Sequence, residues 1–342
     1  MDIEFHYWIT GIVAREAGFS EDEASTIAYS SQYVDENDVS ITVKDRSTSK
    51  KYVNFVSQTM NILQPKDTLM RIYPIFHFIP GEPTATCACR RDGKMHLFNT
   101  TPNNQFANQI MDAAFGAAEE VRLYRIGIAT HAFADTWAHQ NFTGWRESFN
   151  ALGINPIPNI CHADAMHHPD WVGHRWVDTR LLDGDINNNH RFLSAAEELF
   201  KRYCDYLTSQ GRYRQAERPS WGQLQDKLIK ALGDAASGDK SYDGDVRISR
   251  YKDLASWLPQ EFDETTWFND AIKTKVKMFR DSKDGILAHF TIFKDKYYWR
   301  EDVEKEMTDW YRFQTAVKEH ERFALRLFSS LFTQVGVDLS KI

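Results

Sequence analysis

Apolar positions recur with a helical period over much of this chain. In residues 2–18 they fall on one stripe that includes Phe5, Trp8 and Ile12, and Gly18 then follows as a typical C-terminal stop. Ser20 with Glu23 forms a capping-box pattern, which predicts a second helix from about residue 21 to 35. The chain is therefore expected to begin with two consecutive helices.

Further helices are predicted wherever the same period returns: residues 105–142, 194–208, 221–232, 267–279 and 302–332. Alternation typical of β structure occurs at two places. One is a short run at Val39–Val43, and the other is Cys87–Phe98, where Asp92-Gly93 between two alternating runs predicts a hairpin. Residues 150–190, rich in Pro, Asn, Gly and His, are expected to form a structured loop. The predicted fold class is all-α, a multi-helix bundle with a small β-hairpin excursion.

Composition narrows the functional classes. The chain has 342 residues and a net charge of −7, so no overall basic field indicates a nucleic-acid binder. No run of eighteen apolar residues occurs, which predicts no transmembrane helix. The N-terminus lacks the basic and apolar regions of a signal peptide, and the four cysteines form no CxxC pair. We therefore expect a cytoplasmic protein with reduced thiols.

The strongest chemical pattern is His131-Ala-Phe-Ala-Asp135-Thr-Trp-Ala-His139. On a helix, positions i, i+4 and i+8 lie along one side, so three metal-ligating side chains would point the same way. The surrounding residues are almost all apolar, which places these polar groups inside the protein. Buried imidazoles and carboxylates need partners, and a metal ion satisfies several at once. The alternative is a helix whose polar face carries weak i,i+4 pairs.

Other candidates are spread along the first half, where nine of the 12 histidines lie at or before residue 174. Asp35 closes the small-residue face of the second helix, although a solvent-exposed helix end would look the same. His77 sits in an apolar run bounded by prolines, and His6 lies among aromatic residues of the first helix. A hydrogen-bonded core histidine is the alternative for both.

A dense polar cluster follows in residues 161–170, Cys-His-Ala-Asp-Ala-Met-His-His-Pro-Asp. Metal ligands and a solvated loop are both compatible with it. Shortly after it, Asp183-Gly-Asp-Ile-Asn-Asn-Asn resembles the start of a calcium loop. Asn188 stands where that loop requires Gly, and Ser194 stands where it requires a bidentate Glu, so we interpret the segment as a turn.

Taken in order, these residues resemble the zinc-dependent phospholipase C and S1/P1 nuclease superfamily, over roughly residues 1–180. The resemblance implies an all-α phospholipase C/P1 nuclease-like bundle with a cluster of two or three Zn²⁺ ions. The stretch from Asp2 to Asp35 also resembles the start of an uncharacterised bacterial family. Relatives usually place a carboxylate four positions after the late His, and residue 166 here is Met. The implied ligands are His6, Asp35, His77, His131, Asp135, His139 and His162, completed by one of Asp164, His167 or His168.

The same resemblance implies a metal-dependent hydrolase that cleaves phosphodiester bonds, in phospholipid or in nucleic acid. Asp135 would bridge metal ions, and Asp35 would be both a ligand and the proton acceptor for the attacking water. We expect residues 1–190 to form a metal-binding helical core, with residues 191–342 as a helical region packed on the same domain. The alternative is a non-enzymatic interaction protein with a structural or relic metal site.

Overall fold

A computed structural model describes residues 1–59, 61, 66–153, 159–238, 244–275 and 296–338. Both predicted N-terminal helices are confirmed. A π-helical segment, Glu4–Ile9, runs directly into α1 (Thr10–Ala17), which ends at Gly18 with φ +115°. In the next helix, α2 (Glu21–Glu36), the Ser20 hydroxyl accepts the Glu23 backbone N–H, and the Glu23 carboxylate accepts that of Ser20. The capping box therefore starts α2 where the sequence predicts.

The centre of the molecule is α5 (Glu119–Ala138), which is buried around nearly its whole circumference. A helix that is apolar on all sides is typical of the middle of a large core. Four helices and a short π-helical turn pack around it. These neighbours are α2, α4 (Gln105–Phe115), α6 (Asn188–Ser209), α10 (Asp309–Leu327) and the turn Tyr73–His77.

Shorter helices complete the outer layer: α3 (Lys66–Met70), α7 (Trp221–Leu232), α8 (Gly244–Leu254), α9 (Thr266–Ala271) and α11 (Ser329–Gln334). One hydrophobic core cluster draws residues from both ends of the chain, from Met1 to Val337. A smaller cluster lies beneath the loops around Phe142 and Trp176. Among the described residues, no helix is both long and apolar enough to cross a membrane.

The all-α prediction is too strict, because helices hold 54% and strands 10% of the structure. The described strands are β1 (Thr42–Lys44), β2 (Lys51–Val53), β3 (His174–Val177), β4 (Asp185–Asn187), β5 (Ala236–Ser237), β6 (Ile272–Lys275) and β7 (Lys296–Trp299). They form two small mixed sheets, with strand orders β2-β1-β7-β6 and β4-β3-β5. The four-stranded sheet has two antiparallel pairs and the parallel pair β1 with β7, and the three-stranded sheet has one antiparallel pair and the parallel pair β3 with β5.

The hairpin predicted in Cys87–Phe98 is wrong. The two flanking runs do not pair with each other, since Arg90 instead forms a β-bridge with Leu181. The Cys89 carbonyl likewise accepts the backbone N–H of Leu182. Asp92 and Gly93 do form a turn, but its neighbours are held by a distant segment. An alternating pattern could not reveal that partner.

Several predicted helices have different bounds. The helix predicted at 194–208 begins earlier, at Asn188, and the one predicted at 302–332 is divided into α10, from Asp309, and α11, from Ser329. The stretch 105–142 breaks after Phe115, because Ala118 adopts an extended backbone (ψ 144°) before α5 begins. The helix predicted at 267–279 ends at Ala271, where the chain turns into β6. The rest of that prediction, from residue 276, lies outside the described residues.

Candidate metal centre

The helix α5 and the residue after it carry the His131, Asp135 and His139 side chains into the core. All three are buried, with 0%, 1% and 5% of their surface exposed. Asp135 is the centre of the arrangement. Its carboxylate lies 3.2 Å from His131 Nε2 and 3.4 Å from His139 Nδ1. The helical spacing therefore places the three side chains together as the sequence predicts.

The N-terminal helices bring His6 and Asp35 against this face. The His6 ring stacks on the His131 ring at 3.7 Å, and its Nε2 lies 3.2 Å from Asp135 Oδ1. Asp35 Oδ1 lies 3.6 Å from His131 Nε2. This contact needs α2 and α5 to cross closely, and Gly127 permits it, because a Cβ there would lie 2.4 Å from Ser30 Cβ.

The π-helical turn Tyr73–His77 delivers the next imidazole. His77 Nδ1 lies 3.0 Å from His131 Nε2 and 3.4 Å from Asp135 Oδ2. The same atom lies 3.8 Å from Asp35 Oδ1. A turn widened to the i→i+5 bond often marks a functional site. Here it directs His77 toward the carboxylates of two different helices.

The loop after α5 supplies His162 and Asp170. Asp170 Oδ1 lies 3.1 Å from His139 Nε2, and Asp170 Oδ2 lies 3.4 Å from His162 Nε2. The Met1 amino group also lies in this region, in contact with Asp135 and 3.3 Å from Asp170 Oδ1. Three groups in the described residues thus have ligand atoms within 4.8 Å of one another: His6/Asp35/His131, His77/His131/Asp135 and His139/His162/Asp170.

Four of these imidazoles each form a hydrogen bond with a backbone carbonyl, which determines which ring nitrogen faces inward. Each ring places one nitrogen against a backbone carbonyl, which can only accept, so that nitrogen carries the hydrogen. In a neutral ring the other nitrogen then carries a lone pair directed at the centre. The four contacts are His77 Nε2 to Ser57 O (2.9 Å), His131 Nδ1 to Ser31 O (2.8 Å), His139 Nδ1 to His77 O (2.7 Å) and His162 Nδ1 to Met166 O (2.9 Å).

For the carboxylates of this region, burial and neighbouring charges shift the pKa in opposite directions. Burial by itself would raise the pKa of Asp135, but the neighbouring His139, the Met1 amino group and His131 together hold that pKa well below its usual range. The pKa of Asp170 is likewise held low, against its burial, by His162 and the Met1 amino group. Burial, with His131 beside it, lowers the pKa of His6 to about 3. The carboxylates are therefore charged at neutral pH, and His6 is neutral.

Two predicted ligands are placed elsewhere. The Asp164 carboxylate accepts the backbone N–H groups of Leu152 and Gly153, and the His167 ring is exposed and stacked on Trp171. Neither belongs to the three groups. Asp170 is the carboxylate that faces His162, and the spacing expected from relatives missed it because it lies eight positions after His162. It was nevertheless the last acidic residue of the polar cluster.

Helix α10 packs against the turn that carries His77. His320 is buried, stacks on Phe76 with ring centroids 4.9 Å apart, and donates Nε2–H to the Ile75 carbonyl at 2.9 Å. Next to it, Glu321 pairs with Arg71 at 2.7 Å. Both contacts fall on the segment that carries His77. The far end of the chain thus holds the π-helical turn in place.

Stability below neutral pH should report on His320. Burial, followed by the nearby Arg125, lowers its pKa to about 3, whereas an unfolded histidine titrates near 6.5. Between these values the unfolded chain binds a proton that the folded chain excludes, so stability falls as pH falls, by about 1.4 kcal/mol per pH unit. His320→Gln keeps a donor for Ile75 and does not titrate. Urea unfolding with chelator present should show a wild-type advantage that shrinks from pH 6 to 4. If the difference in unfolding free energy between the two proteins stayed constant from pH 6 to 4, the pKa of His320 would not be lowered in the folded protein.

Comparison with known proteins places the chain in a family. A model of the DUF6765 family, a family of unknown function, matches residues 1–328. The chain belongs to this family. The match spans every residue of the three His/Asp groups of this chain and continues through α10. No curated protein and no solved structure matches the chain.

Proposed function

We propose that this protein is a metal-dependent phosphoesterase, with zinc as its metal and phosphodiesters as its substrate class. One observation carries the metal assignment. In their neutral forms His77 Nδ1 and His131 Nε2 would both direct lone pairs inward, yet they lie 3.0 Å apart and within 3.4 Å of the buried Asp135 carboxylate. Three acceptors directed at one point repel one another unless a proton or a cation lies between them.

The spacing of these atoms fits zinc. Zinc binds histidine nitrogen and carboxylate oxygen at about 2.0–2.2 Å in tetrahedral geometry, which separates neighbouring ligand atoms by about 3.3–3.6 Å. The contacts of Asp135 with His77 and His131 are 3.4 and 3.2 Å. Those of Asp170 with His139 and His162 are 3.1 and 3.4 Å. The His77/His131/Asp135 and His139/His162/Asp170 groups therefore have the donor types that zinc binds, at separations within about 0.3 Å of that range, which supports zinc as the metal.

The proposed role of each residue follows from how exposed its side chain is. Bound zinc ions would lower the pKa of a coordinated water and neutralise charge on a phosphate ester. His77, His131 and Asp135 would hold an ion in the buried part of the centre. The Asp135 carboxylate also lies near His6 and His139, which belong to the other two groups, so it could contribute to more than one of them. Asp35 is one quarter exposed and so can meet both ion and solvent. It would take the proton of the attacking water, while the phosphorus–oxygen bond breaks and the leaving oxygen receives a proton from solvent.

Metal removal and restoration test this proposal. Purified protein should contain zinc by elemental analysis and should hydrolyse bis-p-nitrophenyl phosphate. Treatment with EDTA should abolish the hydrolysis, and stoichiometric Zn²⁺ should restore it, because the fold already places the candidate ligand atoms within 4.8 Å of one another. Phosphatidylcholine vesicles and single-stranded DNA, assayed in parallel, separate the two substrate sources.

The outcomes divide cleanly. A chain that neither contains zinc nor takes it up would refute the metal assignment. A chain that binds zinc but turns over none of the three substrates would refute the phosphoesterase and favour a structural metal site in an interaction protein.

A further inference from the structure

We infer that Asn188 and Arg191, in the first turn of α6, are positioning residues that hold Asp170 against His139. This inference rests on the proposed metal site for its function, although the contacts themselves do not. It also gives a role to the asparagine run at 187–189, which resembles part of a calcium loop in the sequence.

Asn188 fixes the short segment that presents Asp170. Its side chain is fully buried, and Nδ2 donates to the carbonyls of His168 and Trp171, each at 2.7 Å. These two carbonyls lie on either side of Asp170 in the chain. Because only the NH₂ end of the amide can donate to carbonyls, the orientation of Asn188 is determined by its partners.

The oxygen of Asn188 is equally committed. Oδ1 accepts from Trp176 Nε1 at 3.3 Å and from Arg191 Nη1 at 3.2 Å. Both donors and both acceptor positions of the amide are thus used, which leaves Asn188 one conformation. A fully satisfied buried amide specifies a single arrangement of the segments that it joins.

Arg191 holds the other half of the pair. Its guanidinium donates to the carbonyls of Trp137 and Ala138, the last two residues of α5. The final carbonyls of a helix have no partner within the helix, and a cation there also complements the helix dipole. His139 follows these two residues directly. Arg191 therefore fixes the point from which the His139 side chain leaves the helix.

The first turn of α6 therefore contacts both the segment that carries Asp170 and the end of α5 that precedes His139. The result is the 3.1 Å approach of Asp170 Oδ1 to His139 Nε2. Outer partners of this kind set the orientation of metal ligands, and their loss typically costs about 10–100-fold in metal affinity. We expect that loss to fall on the His139/His162/Asp170 group and to spare the group around His77.

The neighbouring Asn189 provides a matched control. It is also a buried asparagine of the same turn, and its side chain likewise bridges two loops. Its Oδ1 accepts the Gly173 backbone N–H at 2.9 Å, and its Nδ2 donates to the Gly233 carbonyl at 2.8 Å. It contacts neither carbonyl beside Asp170. A general weakening of α6 would affect both variants, whereas the positioning role belongs to Asn188.

Zinc titration against a competing chelator and amide hydrogen exchange test the inference on wild type, Asn188→Ala and Asn189→Ala. In Asn188→Ala, one zinc step, assigned to the His139/His162/Asp170 group, should lose about 10–100-fold in affinity, while the other steps stay unchanged. Exchange of the Asp170 and Trp171 amides, which both donate to the His167 carbonyl, should accelerate with or without zinc. If Asn188→Ala does not fold, Arg191→Lys, which keeps the charge but loses the forked geometry, should show the same selective loss.

Two results would overturn the inference: unchanged exchange at Asp170 and Trp171 in Asn188→Ala, or an equal loss of zinc affinity in Asn189→Ala. If the wild type takes up no zinc but Asn188→Ala still accelerates exchange at these two amides, the proposed function fails and the positioning of Asp170 stands. The two failures are therefore distinguishable.

Discussion

Asp135→Asn should abolish zinc binding at the His77/His131/Asp135 group and lower phosphodiester hydrolysis more than about 100-fold. Losing a residue that only orients a metal ligand already costs about 10–100-fold in metal affinity, and Asp135 would be a ligand itself. The physical reason is the number of groups that share this carboxylate. Its oxygens lie within 3.4 Å of His6, His77, His131 and His139. Asparagine keeps the shape but lacks the charge. Elemental analysis and the bis-p-nitrophenyl phosphate assay measure both effects.

Asp164→Asn is the matched control for that variant. Asp164 is also a buried aspartate of the first half, but its carboxylate accepts backbone N–H groups of Leu152 and Gly153. Both N–H groups donate to the same carboxylate oxygen, Oδ2, so an asparagine oxygen in that position can accept both, and zinc content and turnover should stay near wild type. If Asp164→Asn lost zinc as completely as Asp135→Asn, the assignment of Asp170 in its place would be wrong.

Gly127→Ala should destabilise the protein and separate Asp35 from His131. The added Cβ would lie 2.4 Å from Ser30 Cβ and 2.6 Å from the Ile27 carbonyl oxygen. Such overpacking costs about 1–3 kcal/mol or more, which outweighs the gain of about 1 kcal/mol that alanine offers over glycine in a helix. Because the second clash is with backbone, a side-chain rotation cannot relieve it. We expect a lower unfolding free energy in urea together with weaker zinc binding.

Gly222→Ala separates packing from helix propensity. Gly222 lies in α7, and an added Cβ there would meet only the Ser220 hydroxyl, at 3.8 Å. This variant should therefore gain about 0.5–1 kcal/mol in unfolding free energy. A Gly127→Ala protein as stable as Gly222→Ala would show that the α2–α5 crossing is not as tight as the structure places it.

Local patterns in the sequence carried much of the site. The capping box sets the start of α2, and helical spacing puts His131, Asp135 and His139 on one side of the chain. Both signals act over four to eight residues, so a sequence displays them directly. The structure accordingly brings these residues together with His6, Asp35, His77 and His162.

Features fixed by distant contacts could not be predicted in the same way. The carbonyls on either side of Asp170 are bound by Asn188, which lies eighteen positions further along the chain. The strands are two to four residues long, and both parallel pairs join segments that are far apart in sequence. Short alternation therefore indicated β1, which overlaps the run at Val39–Val43, but not its partner strands. It also suggested a hairpin at Cys87–Phe98, where Arg90 instead pairs with Leu181.

The acceptors that orient the inward imidazoles are main-chain carbonyls, of Ser31, Ser57, His77 and Met166. Replacing the side chain of Ser31, Ser57 or Met166 leaves the acceptor itself in place. Most single mutations around the centre therefore leave unchanged which nitrogen of each histidine carries the hydrogen. Sequence drift in the shell of this site can change packing and affinity, but it cannot easily reverse which nitrogen each histidine offers.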